Sequence, residues 1–249
     1  PIRPYMVTIG GNGKPGETFY RNTAFVSRNH ARRHAAQCFV HNGVDPDDYI
    51  FSDKKDGSLL FLAKASWRVK NVDGAIRLAK RTNRHLRIVG GSKRFFNHRG
   101  GIHWEGMLGG KPKAEIISRA SALLFPVLWN EPFGIAVIEA LVSGTPVLAS
   151  GLGSLPELLV PEVGRICEDD DSYVEAIGHL DRFKASDCRD WAISKFSHHI
   201  MADKYLGLYE KVLAGNSLNP SLPFTLEAVD ALYSIPLQAG VGNSAALPA

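Results

Sequence analysis

The chain has 249 residues, of which 45% are hydrophobic and 22% charged, and it carries a formal net charge of +4 with a pI near 9.0. This is enough apolar material for one or two packed domains, and the basic residues are spread rather than clustered, which speaks against a nucleic-acid-binding role. Cys38, Cys167 and Cys188 form no CxxC pair and imply neither a disulfide framework nor a zinc site; no run of transmembrane length and no signal peptide is seen, so a cytoplasmic location is expected.

Residues 5–9 (YMVTI) predict a short buried strand, and the segment 11–16 after it matches GxGxxG by letter. A dinucleotide fingerprint needs a helix opening on those glycines. Pro15 and the run Glu17-Thr18-Phe19-Tyr20 give no helical period, so the segment reads as a flexible glycine loop and not as the site of a Rossmann oxidoreductase. Residues 23–27 predict a second strand and 28–36 a short basic helix. Its His30, Arg32, Arg33 and His34 read as a solvated face, with an acceptor cleft or an acidic lipid head group (a peripheral membrane contact) as the alternative. Asn42-Gly43 then permits positive φ and Asp45-Pro46 ends the turn, which marks a domain boundary.

A second unit opens with a buried strand over 58–64 (SLLFLAK), and Lys64 and Lys70 flank the turn into a helix over 72–81. Two ammonium groups at the C-terminal end of a strand can neutralise a diphosphate, because doubly wound sheets bind ligands at that edge; solvated surface lysines are the alternative. Residues 85–91 and 101–107 predict further strands and 112–120 a helix, and Lys93, Arg94, His98 and Arg99 make a basic loop.

The stretch 122–159 organises the rest. Residues 122–129 predict a buried strand, apolar positions 135, 137, 138, 141 and 142 a helix ended by Gly144-Thr145-Pro146, and 147–149 another strand, together a unit of a parallel α/β sheet. Pro132 suits a first helical position, and the free N–H groups of Phe133, Gly134 and Ile135 would face an anion at the helix start. Glu131 and Glu139 can accept hydrogen bonds from hydroxyls beside that anion. A ligand with phosphates and sugar hydroxyls fits this turn; a buried crossover with two solvated glutamates is the alternative. Further on, 163–166 predicts an edge strand, 171–180 an acid-capped helix and 198–213 a helix, while His198-His199, with no carboxylate cluster beside it, reads as surface. Residues 214–249 read as a loosely ordered tail, apart from a short helix over 224–233.

Glu131-Pro132-Phe133-Gly134 with Glu139-Ala140, Gly144-x-Pro146-Val147 and Gly153-x-x-x-Glu157 resembles the signature of retaining two-domain (GT-B) glycosyltransferases of the glycogen-synthase and sucrose-synthase-like superfamily, the glycosyl transferases group 1. The resemblance covers roughly residues 5–213 and implies an α/β fold: a Rossmann-like parallel sheet with helices on both faces, plus the last part of an N-terminal Rossmann-like domain. It divides the chain into an N-terminal remnant (1–40), a linker (41–57) resembling the family's NGVD link, a donor-binding domain (58–197), a helix that crosses back (198–213) and the tail (214–249). It implies transfer of a sugar from a nucleotide-diphospho-sugar with retention of configuration. Glu131 would contact the donor sugar, with Lys64 and Lys70 at the leaving diphosphate and Arg68 as a substitute for Lys70. Glu139 would hold the ribose. Phe133, Gly134 and Ile135 would lie at the sugar and diphosphate, and Gly106, Met107 and Leu108 at the nucleobase. No metal or other cofactor is expected. The acceptor (saccharide, lipid-linked or small molecule) would be met by a missing N-terminal domain or a partner chain. Lys64 stands where the family has Arg, and Gly10 where it often has a histidine that reaches the donor sugar. A non-catalytic nucleotide-sugar binding module with a separate acceptor-side chain is therefore the alternative function.

Overall fold

The computed structural model describes residues 4–92 and 99–226. Six strands form one parallel sheet: β3 (Leu59–Leu62), β4 (Leu86–Val89), β5 (Ile102–Gly106), β6 (Ala122–Phe125), β7 (Val147–Ser150) and β8 (Gly164–Cys167), in the order β5-β4-β3-β6-β7-β8. Between and after them run α2 (Val72–Arg81), α3 (Gly110–Arg119), α4 (Ile135–Val142), α5 (Leu155–Leu158), α6 (Asp170–Gly178), α7 (Ala185–Phe196) and α8 (His198–Leu213). A separate pair of parallel strands, β1 (Val7–Ile9) and β2 (Thr23–Phe25), precedes α1 (Arg28–Arg33).

Strand side chains alternate between two cores, as the period of two requires. Leu60, Leu62, Leu123, Phe125, Val147 and Ala149 face one core with residues of α3, α4 and α7; Leu59, Phe61, Leu86, Ile88, Leu124 and Leu148 face the other with residues of α2 and α6. The expected parallel sheet with helices on both faces is therefore present. Helix α4 is buried from Val137 to Val142, which suits a composition apolar but for Glu139 and makes it the central crossover. The strand expected over 122–129 stops at Phe125, because Pro126 has no N–H for a ladder. Helix α7 was not foreseen, although Cys188, Ala192 and Phe196 recur at helical spacing and are its buried residues.

The basic helix differs from expectation. Arg28 and Arg32 are exposed, but His30 and His34 are buried and hold the glycine loop: their Nε2 atoms lie 2.9 Å from the carbonyls of Gly11 and Asn12. Burial, reinforced by His34, pushes the His30 imidazole down to about 3, so it stays neutral when folded. In the unfolded chain it takes up a proton below about pH 6.5. Stability should therefore fall as pH drops from about 6.5 toward 3, by at most about 1.4 kcal/mol per pH unit from this group. Urea midpoints measured from pH 7 to 5 should show that slope, and His30→Gln should flatten it.

Residues 214–226 are tied down rather than loose. Asn219, fully buried, accepts hydrogen bonds from the backbone N–H groups of Gln37 and Cys38 (both 3.0 Å) and donates to the carbonyls of Arg21 (2.9 Å) and Thr23 (2.7 Å). Phe224 pairs with Thr18 in an antiparallel bridge, so the expected helix does not begin there; its remainder from residue 227, like Lys93, Arg94 and His98 of the basic loop, lies outside the described residues.

Candidate functional site

Chain connections leave β3 and β6 in opposite directions along the sheet, which opens a crevice at the C-terminal ends of these adjacent strands. The loops that follow them line it, and they are joined: the Leu128 N–H donates to the Val69 carbonyl (2.8 Å) and the Asn71 side chain to the Pro126 carbonyl (2.9 Å). Asn71 sits at positive φ (58°) and its side chain also accepts from the Gly74 N–H, which starts α2.

Two carboxylates are buried here. Glu131 is 7% exposed and Glu139 8%, so the solvated-glutamate alternative does not hold. Burial of a carboxylate requires a partner, and each has a lysine. Lys70 Nζ lies 2.5 Å from Glu131 Oε2, and the Trp129 indole N–H donates to the same oxygen at 2.8 Å. Lys113 Nζ lies 2.6 Å from Glu139 Oε1, which also accepts from the Tyr49 hydroxyl at 2.8 Å. Burial and the Glu139 carboxylate push the Tyr49 phenol well above its ordinary value, so it remains a donor. In each carboxylate one oxygen takes both partners and the second has none among the described residues.

The turn between them departs from the expected geometry. Helix α4 starts at Ile135, so Pro132 precedes the helix instead of opening it. Gly134 is the N-cap, at φ 97°, and no side chain caps the helix. Of Phe133, Gly134 and Ile135, only Ile135 belongs to the first turn. Phe133 is buried in the core and Ile135 is half exposed. The loop is fastened from outside by the Ser27 hydroxyl to the Pro132 carbonyl (2.7 Å), the Ser154 hydroxyl to the Phe133 carbonyl (2.6 Å), and Arg33 and Asn12 to the Asn130 carbonyl (3.2 and 3.0 Å).

Glu157, the last residue of the sequence pattern, turns toward α1. It accepts from the backbone N–H groups of Arg28 (3.0 Å) and Asn29 (2.6 Å) and lies 3.1 Å from His41 Nε2. Burial alone would raise its pKa, but His41 and the two N–H groups outweigh this and hold the carboxyl below its usual range. It neutralises the start of a helix distant in sequence.

Lys64 is exposed, its ammonium 5.1 Å from the centre of the Trp67 ring. It shares a cavity of about 860 Å³ with Gly90, Gly91, Trp104 and the Gly106–Met107–Leu108 turn, at the ends of β3, β4 and β5. The structure thus groups Lys64 with Gly106, Met107 and Leu108, and Lys70 with Glu131, while Glu139 lies with Tyr49 and Lys113. Lys113 and Tyr49 carry no sequence signal, since neither belongs to the motif, and Trp129 reads only as the end of a strand.

Residues 48–187 match the family model described as Glycosyl transferases group 1. Among curated proteins, the MMP alpha-(1->4)-mannosyltransferase of Mycolicibacterium hassiacum is 30% identical over 123 residues, 45% of this chain and 30% of that protein. The chain spans less than a third of the length of the first curated relatives it matches. Among solved structures, a glycosyltransferase involved in avilamycin A biosynthesis superposes with a TM-score of 0.73 at 24% identity, covering 84% of this chain and 68% of that one. The Anabaena protein HepE, in complex with UDP and glucose, gives a TM-score of 0.63 at 13% identity, covering 76% and 63%. These likenesses show the GT-B fold. No helix among the described residues is long and apolar enough to cross a membrane.

Proposed function

The chain belongs to the glycosyl transferases group 1, and on that premise we propose that it binds a nucleotide-diphospho-sugar in the crevice at the ends of β3 and β6, as the donor side of an enzyme that transfers the sugar with retention of configuration. One observation carries the reading: two buried carboxylates flank the turn into α4, each with one oxygen fixed by an ammonium and the other without a partner among the described residues. Such groups accept sugar hydroxyls without reorganising, which is how a site stabilises a defined geometry. The open oxygen of Glu131 takes the donor sugar and that of Glu139 the ribose. Lys64, on the exposed side of the same sheet edge, meets the diphosphate and stabilises the charge that develops as it leaves; Lys70 adds to that field from beneath. Ile135 offers its N–H at the uncapped start of α4, beside Phe133 and Gly134. The 106–108 turn lines the cavity on the nucleobase side. No metal is needed in this scheme. A saccharide, lipid-linked or small-molecule acceptor approaches from the side of β1 and α1, supplied by a further domain or partner chain. The mannosyl- and UDP-linked names of the relatives support a hexose carried on a nucleoside diphosphate.

A second reading, a donor-binding module without transfer activity of its own, draws on Gly10. Among the described residues, its chain neighbours aside, no atom lies within 4 Å of where its Cβ would be, so the end of β1 presents open space where the family often has a histidine.

Calorimetric titration with UDP, GDP and ADP tests the site. One nucleotide should bind, and Glu139→Ala should weaken it at least about tenfold, the worth of one charge-assisted hydrogen bond. Equal affinity in wild type and variant would remove Glu139 from the ligand.

A further inference from the structure

Trp129 touches both members of the buried Lys70–Glu131 pair. Its indole N–H donates to Glu131 Oε2 at 2.8 Å, and the Lys70 ammonium, on that same oxygen, lies 4.6 Å from the centre of the indole ring. The Phe125 ring, 5.5 Å from Lys70, and the Trp67 ring, edge-on to Trp129 at 6.2 Å, complete the aromatic box. An ammonium alone is a point charge and can be shared by both oxygens of a carboxylate. A directional N–H fixed in a packed ring removes that freedom.

We propose that Trp129 is the positioning residue for Glu131: its indole N–H assigns Oε2 to Lys70 and leaves Oε1 facing a ligand hydroxyl. Tryptophan combines the ring face that Lys70 lies against with an N–H donor, and phenylalanine keeps the first and loses the second. That the ligand is the sugar of a nucleotide-sugar rests on the function proposed above; the positioning itself does not.

Two measurements test it on the whole chain. The first needs no ligand: in a 1H–15N spectrum the four tryptophans give four indole signals, assigned by single Trp→Phe changes. The Trp129 signal should exchange with solvent more slowly than that of exposed Trp67, and Glu131→Gln should shift it. Exchange as fast as Trp67, or no response to Glu131→Gln, overturns the proposal, and this holds even if Trp129→Phe fails to fold. The second compares UDP-glucose, GDP-mannose and ADP-glucose with the free diphosphates. Trp129→Phe should weaken the nucleotide-sugar that binds by about tenfold while leaving its diphosphate within about twofold. Equal loss for both, or no loss for either, overturns the proposal, because a merely structural tryptophan would not separate them. If no nucleotide-sugar binds wild type while the indole signal behaves as expected, the donor reading falls and the positioning of Glu131 stands.

Discussion

Lys70→Met should destabilise the folded chain by about 3–5 kcal/mol, among the largest effects of any single side-chain change at this site. The Lys70 and Glu131 side chains are only 11% and 9% exposed, so solvent cannot screen what is left when one is removed. Methionine preserves most of the aliphatic stem and its packing against Phe125 and Trp129, which isolates the charge as the cause. Glu131 would then be a buried anion with a single hydrogen bond, from Trp129. Adding Glu131→Gln to Lys70→Met removes that stranded charge and should recover most of the loss. Urea denaturation of wild type, the two single variants and the double variant measures the coupling directly. A loss below about 1 kcal/mol for Lys70→Met would mean that the pair behaves like a surface salt bridge. The same arithmetic bears on the proposed function: a lysine so tightly engaged by Glu131 is not a freely mobile ligand, so the proposal gives the diphosphate mainly to exposed Lys64.

Gly153→Ala should cost more than about 3 kcal/mol and lower the thermal midpoint by roughly ten degrees or more, or prevent folding. Gly153 has φ 68°, and a Cβ there would lie 2.3 Å from both the backbone N and O of Glu131. Positive φ alone costs alanine about 1–2 kcal/mol. The clash adds more, because the atoms it meets are backbone and are pinned: the Ser154 N–H donates to the Glu131 carbonyl at 2.9 Å, and the Ser154 hydroxyl to that of Phe133. Gly10→Ala is the control, since its Cβ meets nothing within 4 Å; it should shift the midpoint little. Comparable midpoints for the two variants would show that the 153–154 turn can move away from Glu131.

How far the sequence alone leads can be judged from these residues. The helices at Val72–Arg81 and His198–Leu213 coincide with their expected bounds, because their apolar spacing is regular and their ends carry clear stop signals. The sheet and its layers were also legible, since the short apolar run in SLLFLAK suits a strand buried on both faces, and its LLFL core is one. What failed is of one kind. Pro132 reads as a helix opener, but Gly134 takes the N-cap because the chain first passes over Gly153 at Glu131, a contact made across 22 positions. His30 and His34 read as solvated because their acceptors are backbone carbonyls of the glycine loop, which no residue pattern displays. Lys113 and Tyr49 reach Glu139 from 26 and 90 positions away, outside any local motif. The carboxylates were visible in the sequence; the groups that orient them were not.

The Asn219 contacts set an order of assembly. Its side chain uses its two roles, as acceptor and donor, to join the segments at residues 21–23 and 37–38, across a separation of 181 to 198 positions. Two three-residue strands in one pairing and a six-residue helix are too little to hold together unaided. On a growing polypeptide, the sheet built from β3 to β8 can close on local crossovers as it emerges, whereas the segment from β1 to α1, made before that sheet, must wait for almost the last described residues before its backbone groups are satisfied. A stretch synthesised before the sheet is thus completed after it, and during that wait its unpaired strand edges are exposed to chaperones and proteases.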